Sequence, residues 1–266
     1  MDGGGVVKWR NGRVWGRLDR VGGRGKDYRD NWRDDMANFS VLVLTAPPPG
    51  LASEAGGGFV KVDGREAILR SVELFLNREN VKQVLVVFQP DEAEEGRRKY
   101  GPHLGLFGVK VAAAGPKWID QIAGGLEKIS AEATHVIVHD AARPAVAYSD
   151  IDTLLEEAEK SAMVSLATPV RARLVEVDEG GGALAFHAPS QFMQMLTPQV
   201  FSIAAFKEMA TTKKEPHASA FKLLKGSPLN VRLGGPGDER MVKTMLGMLP
   251  KPKSKGPNNP FEEAQW

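Results

Sequence analysis

Val136-Ile137-Val138-His139-Asp140-Ala141-Ala142-Arg143-Pro144 is the stretch on which the fold reading turns. Its opening is short, apolar and β-branched, as in a strand buried on both faces. Its close is a carboxylate, two small residues, an arginine and a proline. In an open α/β sheet, ligands bind outside the carboxyl ends of the strands, which is where Asp140 would sit. A carboxylate there can hold Mg²⁺ carried in on phosphates, and a guanidinium such as Arg143 can pair with phosphate oxygens. The plainer alternative is that Asp140 caps the following turn and Arg143 is a solvated charge.

Outward from this stretch, strands and helices alternate. Upstream, a strand over Phe39–Leu44 is followed by a Pro/Gly-rich loop, Thr45 to Gly64. Ile68, Leu69, Val72, Phe75 and Leu76 give helical spacing over Glu66–Asn77. Then come a strand at Gln83–Phe88, a charged helix from Asp91 to about Tyr100, a strand at Gly108–Ala112 and a helix at Trp118–Ile129. The central strand is read as Thr134–His139. Downstream, a helix at Ser149–Ser161 precedes a strand at Met163–Thr168. Such alternation implies a mostly parallel sheet with right-handed crossovers, an α/β fold. Two short strands, Arg173–Val177 and Ala183–His187, flank Asp178-Glu179-Gly180-Gly181-Gly182 and read as a projecting hairpin arm. Its open edge favours dimerisation. Helices are expected near Ser202–Ala210 and Ala218–Leu224, a short strand at Leu229–Leu233, and a last helix at Asp238–Leu249.

The chain has 266 residues with 42% hydrophobic and 26% charged content, as expected of a globular protein with a full core. A net charge of +2 argues against a nucleic-acid binder. Residues 1–35 carry nine Lys/Arg and six Asp/Glu, leaving 26 basic and 27 acidic residues elsewhere. With no cysteine, disulfides and thiolate chemistry are excluded. No apolar run approaches the roughly 20 residues of a membrane span, and the expected location is the cytoplasm. Residues 1–35, with Trp9, Trp15 and Trp32 among glycines and charges, read as a disordered leader, or as a leader created by start-site choice ahead of Met36. Residues 36–249 form the domain, and 250–266 read as a disordered tail.

Four segments carry a family likeness: Val138 to Pro144, Ala167-Thr168-Pro169-Val170, Leu196-Thr197-Pro198-Gln199-Val200-Phe201, and Gly226-Ser227-Pro228-Leu229-Asn230-Val231. In order and spacing the chain resembles the 2-C-methyl-D-erythritol 4-phosphate cytidylyltransferases. These couple CTP to methylerythritol phosphate in non-mevalonate isoprenoid synthesis and release pyrophosphate. The resemblance implies a Rossmann-like nucleotidyltransferase fold and a homodimer built through the arm, arm residues about 171–190. If the chain is active, it implies Mg²⁺ as cofactor and CTP and methylerythritol phosphate as partners. Asp140 is then the metal ligand, Arg143 and Arg173 bind substrate, and Arg232 and Lys61 stand as catalytic residues, Lys61 substituting for a missing lysine.

The likeness fails at the catalytic positions. Where the family has an Ala-Ala-Gly-x-Gly-x-Arg loop cradling the triphosphate, this chain reads Thr45-Ala46-Pro47-Pro48-Pro49-Gly50-Leu51. Proline has no N–H to donate. Gly57 stands where the family lysine should be, and Gly56-Gly57-Gly58 reads as a flexible linker. The cytidine segment has Trp118 for Arg and Gln121 for Ser. Ala172-Arg173 replaces an Asp-Thr pair, Pro189 replaces the returning arm arginine, and Arg232-Leu233-Gly234 replaces Lys-x-Thr. Losing one preorganised donor or charge at a transition state costs on the order of 10²–10³ in rate. The functional expectation is therefore a divergent, catalytically impaired homologue that acts as a binding or regulatory partner. The alternative is an active cytidylyltransferase with a rearranged loop. Arg171, Arg173, Arg232 and Lys117 could instead form a rebuilt anion pocket. His139, His187 and His217 show no metal-ligand spacing.

Overall fold

The fold is described from a computed structural model, for residues 37–51, 57–234 and 237–250. The leader at 1–35 and the tail beyond 250 lie outside the described residues. Eleven strands and six α-helices are found among the described residues. In chain order they are β1 (Phe39–Leu44), β2 (Lys61–Val62), β3 (Arg65–Glu66), α1 (Ala67–Glu73), β4 (Val81–Phe88), α2 (Pro90–Leu106), β5 (Lys110–Ala113) and α3 (Trp118–Gly125). There follow β6 (His135–Asp140), α4 (Tyr148–Ala158), β7 (Met163–Pro169), β8 (Leu174–Val177), β9 (Ala183–His187), β10 (Met193–Ser202), α5 (Ile203–Thr212), β11 (Lys222–Lys225) and α6 (Asp238–Met248).

Seven strands form one sheet in the order β11-β7-β10-β6-β1-β4-β5. β1 pairs in parallel with β4 and β6, β4 with β5, and β7 with β11; only β10 runs antiparallel, between β6 and β7. Along β1, Phe39, Val41 and Val43 enter the core on the side of α1, α2 and α4, while Leu42 and Leu44 enter the core on the side of α3 and α5. Both faces are buried, which is why β1 reads as a continuous apolar run rather than an alternating one. A third cluster joins Val62, Ala142, Ala145, Leu233 and Val242, docking α6 and β2 beside the loop after β6. The chain leaves β1 towards β4 and β5 on one side, then returns to β6 on the other. The switch point lies between β1 and β6, whose last residues, Leu44 and Asp140, are in register.

The hairpin forms at β8–β9 as its own two-stranded sheet. Its turn is held by Asp178, whose Oδ1 accepts from the N–H groups of Gly180 and Gly182. Several expectations need correction. The helix expected at Ala218–Leu224 is a 3₁₀ turn at Ala218–Ala220 followed by β11. The open edge of β7 offers a ladder there, and pairing with it overrides local propensity. The strand expected at Leu229–Leu233 is irregular. Its Leu233 N–H donates to the Ala142 carbonyl in the loop after β6 instead of joining a ladder. β10 itself goes unseen in the sequence reading because Pro198 sits inside it, at a register irregularity between Leu196 and Gln199. The charged helix does not stop near Tyr100; α2 runs through Pro102 to Leu106, because buried Tyr100 and Leu104 both anchor it to the core. Gly57 and Gly58 are not linker. They form a buried 3₁₀ turn pressed against Ala141 and Ala142, while Gly56 lies outside the described residues. Among the described residues, no helix is long and apolar enough to cross a membrane.

Candidate functional site

The loop after β6 brings Asp140, Arg143 and Arg232 together. Asp140 is fully buried. Its Oδ1 accepts from the Ala142 N–H at 2.9 Å, and its Oδ2 accepts from Arg232 Nε at 2.7 Å. Arg143 Nε lies 3.7 Å from the same Oδ2, too far for a hydrogen bond. Arg143 is 4% exposed; its Nη1 donates to the Asn230 carbonyl, and its Nε finds no partner. Asn230 Nδ2 in turn donates to the Thr197 carbonyl. Burial lowers the Arg143 pKa and the neighbouring Asp140 carboxylate opposes that shift. The cluster holds two guanidiniums and one carboxylate, so it is net cationic.

Thr197 ties this cluster to β10. Its Oγ1 accepts from the Asp140 N–H and meets His139 Nδ1 at 3.2 Å. His139 Nε2 lies 3.1 Å from the Arg143 carbonyl. A carbonyl can only accept, so Nε2 carries the proton and Nδ1 accepts from the threonine hydroxyl. Complete burial, then the Arg143 charge, push the His139 pKa down to about 3. An unfolded histidine titrates near 6.5, so the unfolded chain takes up a proton that the folded chain refuses. The stability this contributes is fully present above pH 6.5 and is lost as pH falls towards 3, at about 1.4 kcal/mol per pH unit. Urea unfolding at pH 7, 6 and 5 is expected to show this slope, and His139→Gln to flatten it. An unchanged slope in the variant would assign the acid sensitivity to other groups.

The loop after β1 faces this cluster across the switch point, and all but one of the backbone N–H donors over residues 45–51 are taken. Thr45 N–H donates to the Val87 carbonyl, and Leu51 N–H to the Pro48 carbonyl. Ala46 N–H donates to Oε1 of Gln121, whose Nε2 donates to Thr45 Oγ1. Pro47, Pro48 and Pro49 have none to give. Gly50 alone of residues 45–51 keeps an N–H without a hydrogen bond among the described residues. Gln121, fully buried on α3, locks the loop. The sequence reading saw in it only a lost serine; a glutamine among the apolar positions of α3 was the available signal.

Pro48 and Pro49, with Trp118, Arg143, β10 and the segment Glu215–Phe221, line a cavity of about 460 Å³. Partial burial raises the Glu215 pKa. The remaining sequence candidates lie apart from the cluster. Lys61 is exposed on β2, paired across the ladder with Glu66, while its neighbour Val62 is the buried residue. Arg173 is exposed and stacks on Phe186 of the arm, its guanidinium 3.9 Å from the ring centroid. Of the four residues named for a rebuilt anion pocket, Arg232 is the one bonded to Asp140. Nor does the donor set fit a Mg²⁺ ion held by the protein. Both Asp140 oxygens are engaged, two guanidiniums crowd the carboxylate, and no group of three or more His, Asp or Glu among the described residues is placed to hold a metal.

A mostly parallel sheet, a crevice at its switch point and an Asp-Ala-Ala-Arg loop at the strand end define a Rossmann-like nucleotidyltransferase fold. The profile of the family IspD, 2-C-methyl-D-erythritol 4-phosphate cytidylyltransferase, matches residues 45–231, and the chain belongs to that family. It is 27% identical over 169 residues to the enzyme of that name from Bacillus velezensis, covering 63% of this chain and 72% of that one. To the chloroplastic enzyme of Oryza sativa subsp. japonica it is 31% identical over 205 residues, covering 73% and 65%. Among solved structures, 4-diphosphocytidyl-2C-methyl-D-erythritol synthase from Anaerococcus prevotii superposes with a TM-score of 0.66 at 14% identity, covering 82% of this chain and 100% of that one. The Thermus thermophilus cytidylyltransferase gives 0.59 at 23%, covering 77% and 96%.

Proposed function

We propose that this chain is a divergent member of the family with little or no cytidylyl transfer, acting as a binding or regulatory homologue. The observation that carries this reading is the loop after β1. Three prolines and three internally bonded N–H groups leave Gly50 as the one free donor among residues 45–51, where a triphosphate cradle needs several. The Asp140 carboxylate, bonded to Arg232, points the same way. The β8–β9 arm would supply the partner surface, pairing with a second copy or an active homologue; its Val177, Leu184 and Phe186 are exposed.

A second reading is favoured by the retention of Asp140 and Arg143, with Arg232 keeping the charge of the family's lysine in the same cluster. It keeps CTP and methylerythritol phosphate as substrates, with any Mg²⁺ held by the triphosphate rather than by Asp140. Calorimetry of the full chain with CTP and MgCl₂, together with a pyrophosphate-release assay on both substrates, separates the two. Neither heat up to millimolar CTP nor pyrophosphate is expected. Micromolar binding with pyrophosphate release would restore the active enzyme with a rearranged loop.

A further inference from the structure

A cavity lies beside the cluster, and one guanidinium and one carboxylate, Arg143 and Glu215, are the charged side chains on its walls among the described residues, a poor match for a polyanion. At about 460 Å³ it falls within the range of small-molecule sites, roughly 300–1,000 Å³. Pro48, Pro49, Trp118, Met195 and Phe221 give it apolar walls, interrupted by Gln194, Thr197 and Gln199 on β10. Arg143 is the one Lys or Arg on its walls among the described residues; it is 96% buried, and its Nε has no hydrogen-bond partner among them. A buried guanidinium short of partners is costly unless an acceptor arrives. Glu215 lines the same cavity, with no ion pair or hydrogen bond among the described residues. Its carboxylate opposes a second negative charge. Asp140 bonds Arg232 at 2.7 Å and lies 3.7 Å from Arg143 Nε, so Arg143 shares that carboxylate and keeps hydrogen-bonding capacity for a ligand.

Resting on the reading above that triphosphate binding is lost, we propose that this cavity binds an apolar monoanion. The ligand class is a carboxylate or sulfonate on an aromatic or branched hydrocarbon body. Its charged end pairs with Arg143, and its body packs between the proline loop and β10. Charge and shape divide the work. The hydrocarbon walls supply most of the affinity, and Arg143 against Glu215 sets the preference for one negative charge over none or several.

The probe is 8-anilinonaphthalene-1-sulfonate, an aromatic monoanion whose fluorescence rises on binding, compared with its uncharged relative N-phenyl-1-naphthylamine. The full chain is expected to bind the sulfonate at one saturable site. Arg143→Gln is expected to weaken it by about tenfold, the scale of one charge-assisted hydrogen bond, while the uncharged dye changes little. Glu215→Gln is expected to tighten the sulfonate severalfold at an unchanged single site and to leave the uncharged dye unchanged, whereas partial unfolding would raise the binding of both dyes. Equal responses of the two dyes to both substitutions, or no saturable site, would overturn the proposal, and CTP still failing to bind would leave the parent reading standing. Displacement of the sulfonate by micromolar CTP would overturn both.

Discussion

Asp140→Asn is expected to lower the unfolding free energy by about 3–5 kcal/mol, the scale of removing one partner from a buried ion pair. The carboxylate is fully buried and is the only anion in contact with Arg232 and Arg143 among the described residues. An amide cannot balance either guanidinium, and its NH₂ group would meet the Ala142 N–H or the Arg232 Nε, donor against donor. Arg232→Met should be less costly, since its side chain retains some access to water. The double variant should fall short of the sum of the two, with a coupling of about 1–3 kcal/mol. Chemical denaturation of the four proteins measures this directly. A carboxylate kept for metal binding or catalysis in an open site behaves oppositely, because neutralising it leaves stability unchanged or higher. A near-neutral Asp140→Asn would therefore return the residue to a ligand-binding role.

Restoring the family's lysine is expected to fail. Gly57 stands where the resemblance places that lysine, yet a Cβ there would lie 2.2 Å from the Leu233 carbonyl oxygen and 2.9 Å from Ala142 Cβ. Neither neighbour is the free end of a flexible side chain. Leu233 is tied back to Ala142 through its own N–H. Gly57→Lys and Gly57→Ala should therefore cost alike, at or above the roughly 1–3 kcal/mol of ordinary overpacking, and Gly57→Lys should gain no CTP affinity. Gly50→Ala is the control. Its φ of +75° carries a penalty of about 1 kcal/mol, but nothing lies within 4 Å of the added carbon. Thermal unfolding of the three variants tests the contrast. A stable Gly57→Lys with micromolar CTP binding would show that the site lost one residue rather than its shape.

The parallel βα framework was legible because its signals are local: β-branched runs at β1, β4 and β6, helical spacing in α1 and α3, and the Asp178–Gly182 turn. Asp140 and Arg143 were legible as strand-end residues, and the proline run as a loss of donors. β10, β11 and the irregular 229–234 segment were not, since each is decided by what lies beside it. An antiparallel partner accommodates Pro198 within β10, an open β7 edge makes a strand of Lys222–Lys225, and a bond from Leu233 to the loop after β6 takes the place of a ladder at Leu229–Leu233. The amino-acid sequence by itself determined the fold class, the family and the three prolines without N–H donors in the loop after β1, because these follow from residue types and their spacing. Tertiary structure alone decided that Asp140 is bonded to Arg232, that Gln121 occupies the Ala46 N–H and that Gly57 is packed shut. Those outcomes depend on distances between residues 75 to 176 positions apart in the chain, which no local pattern of side chains encodes.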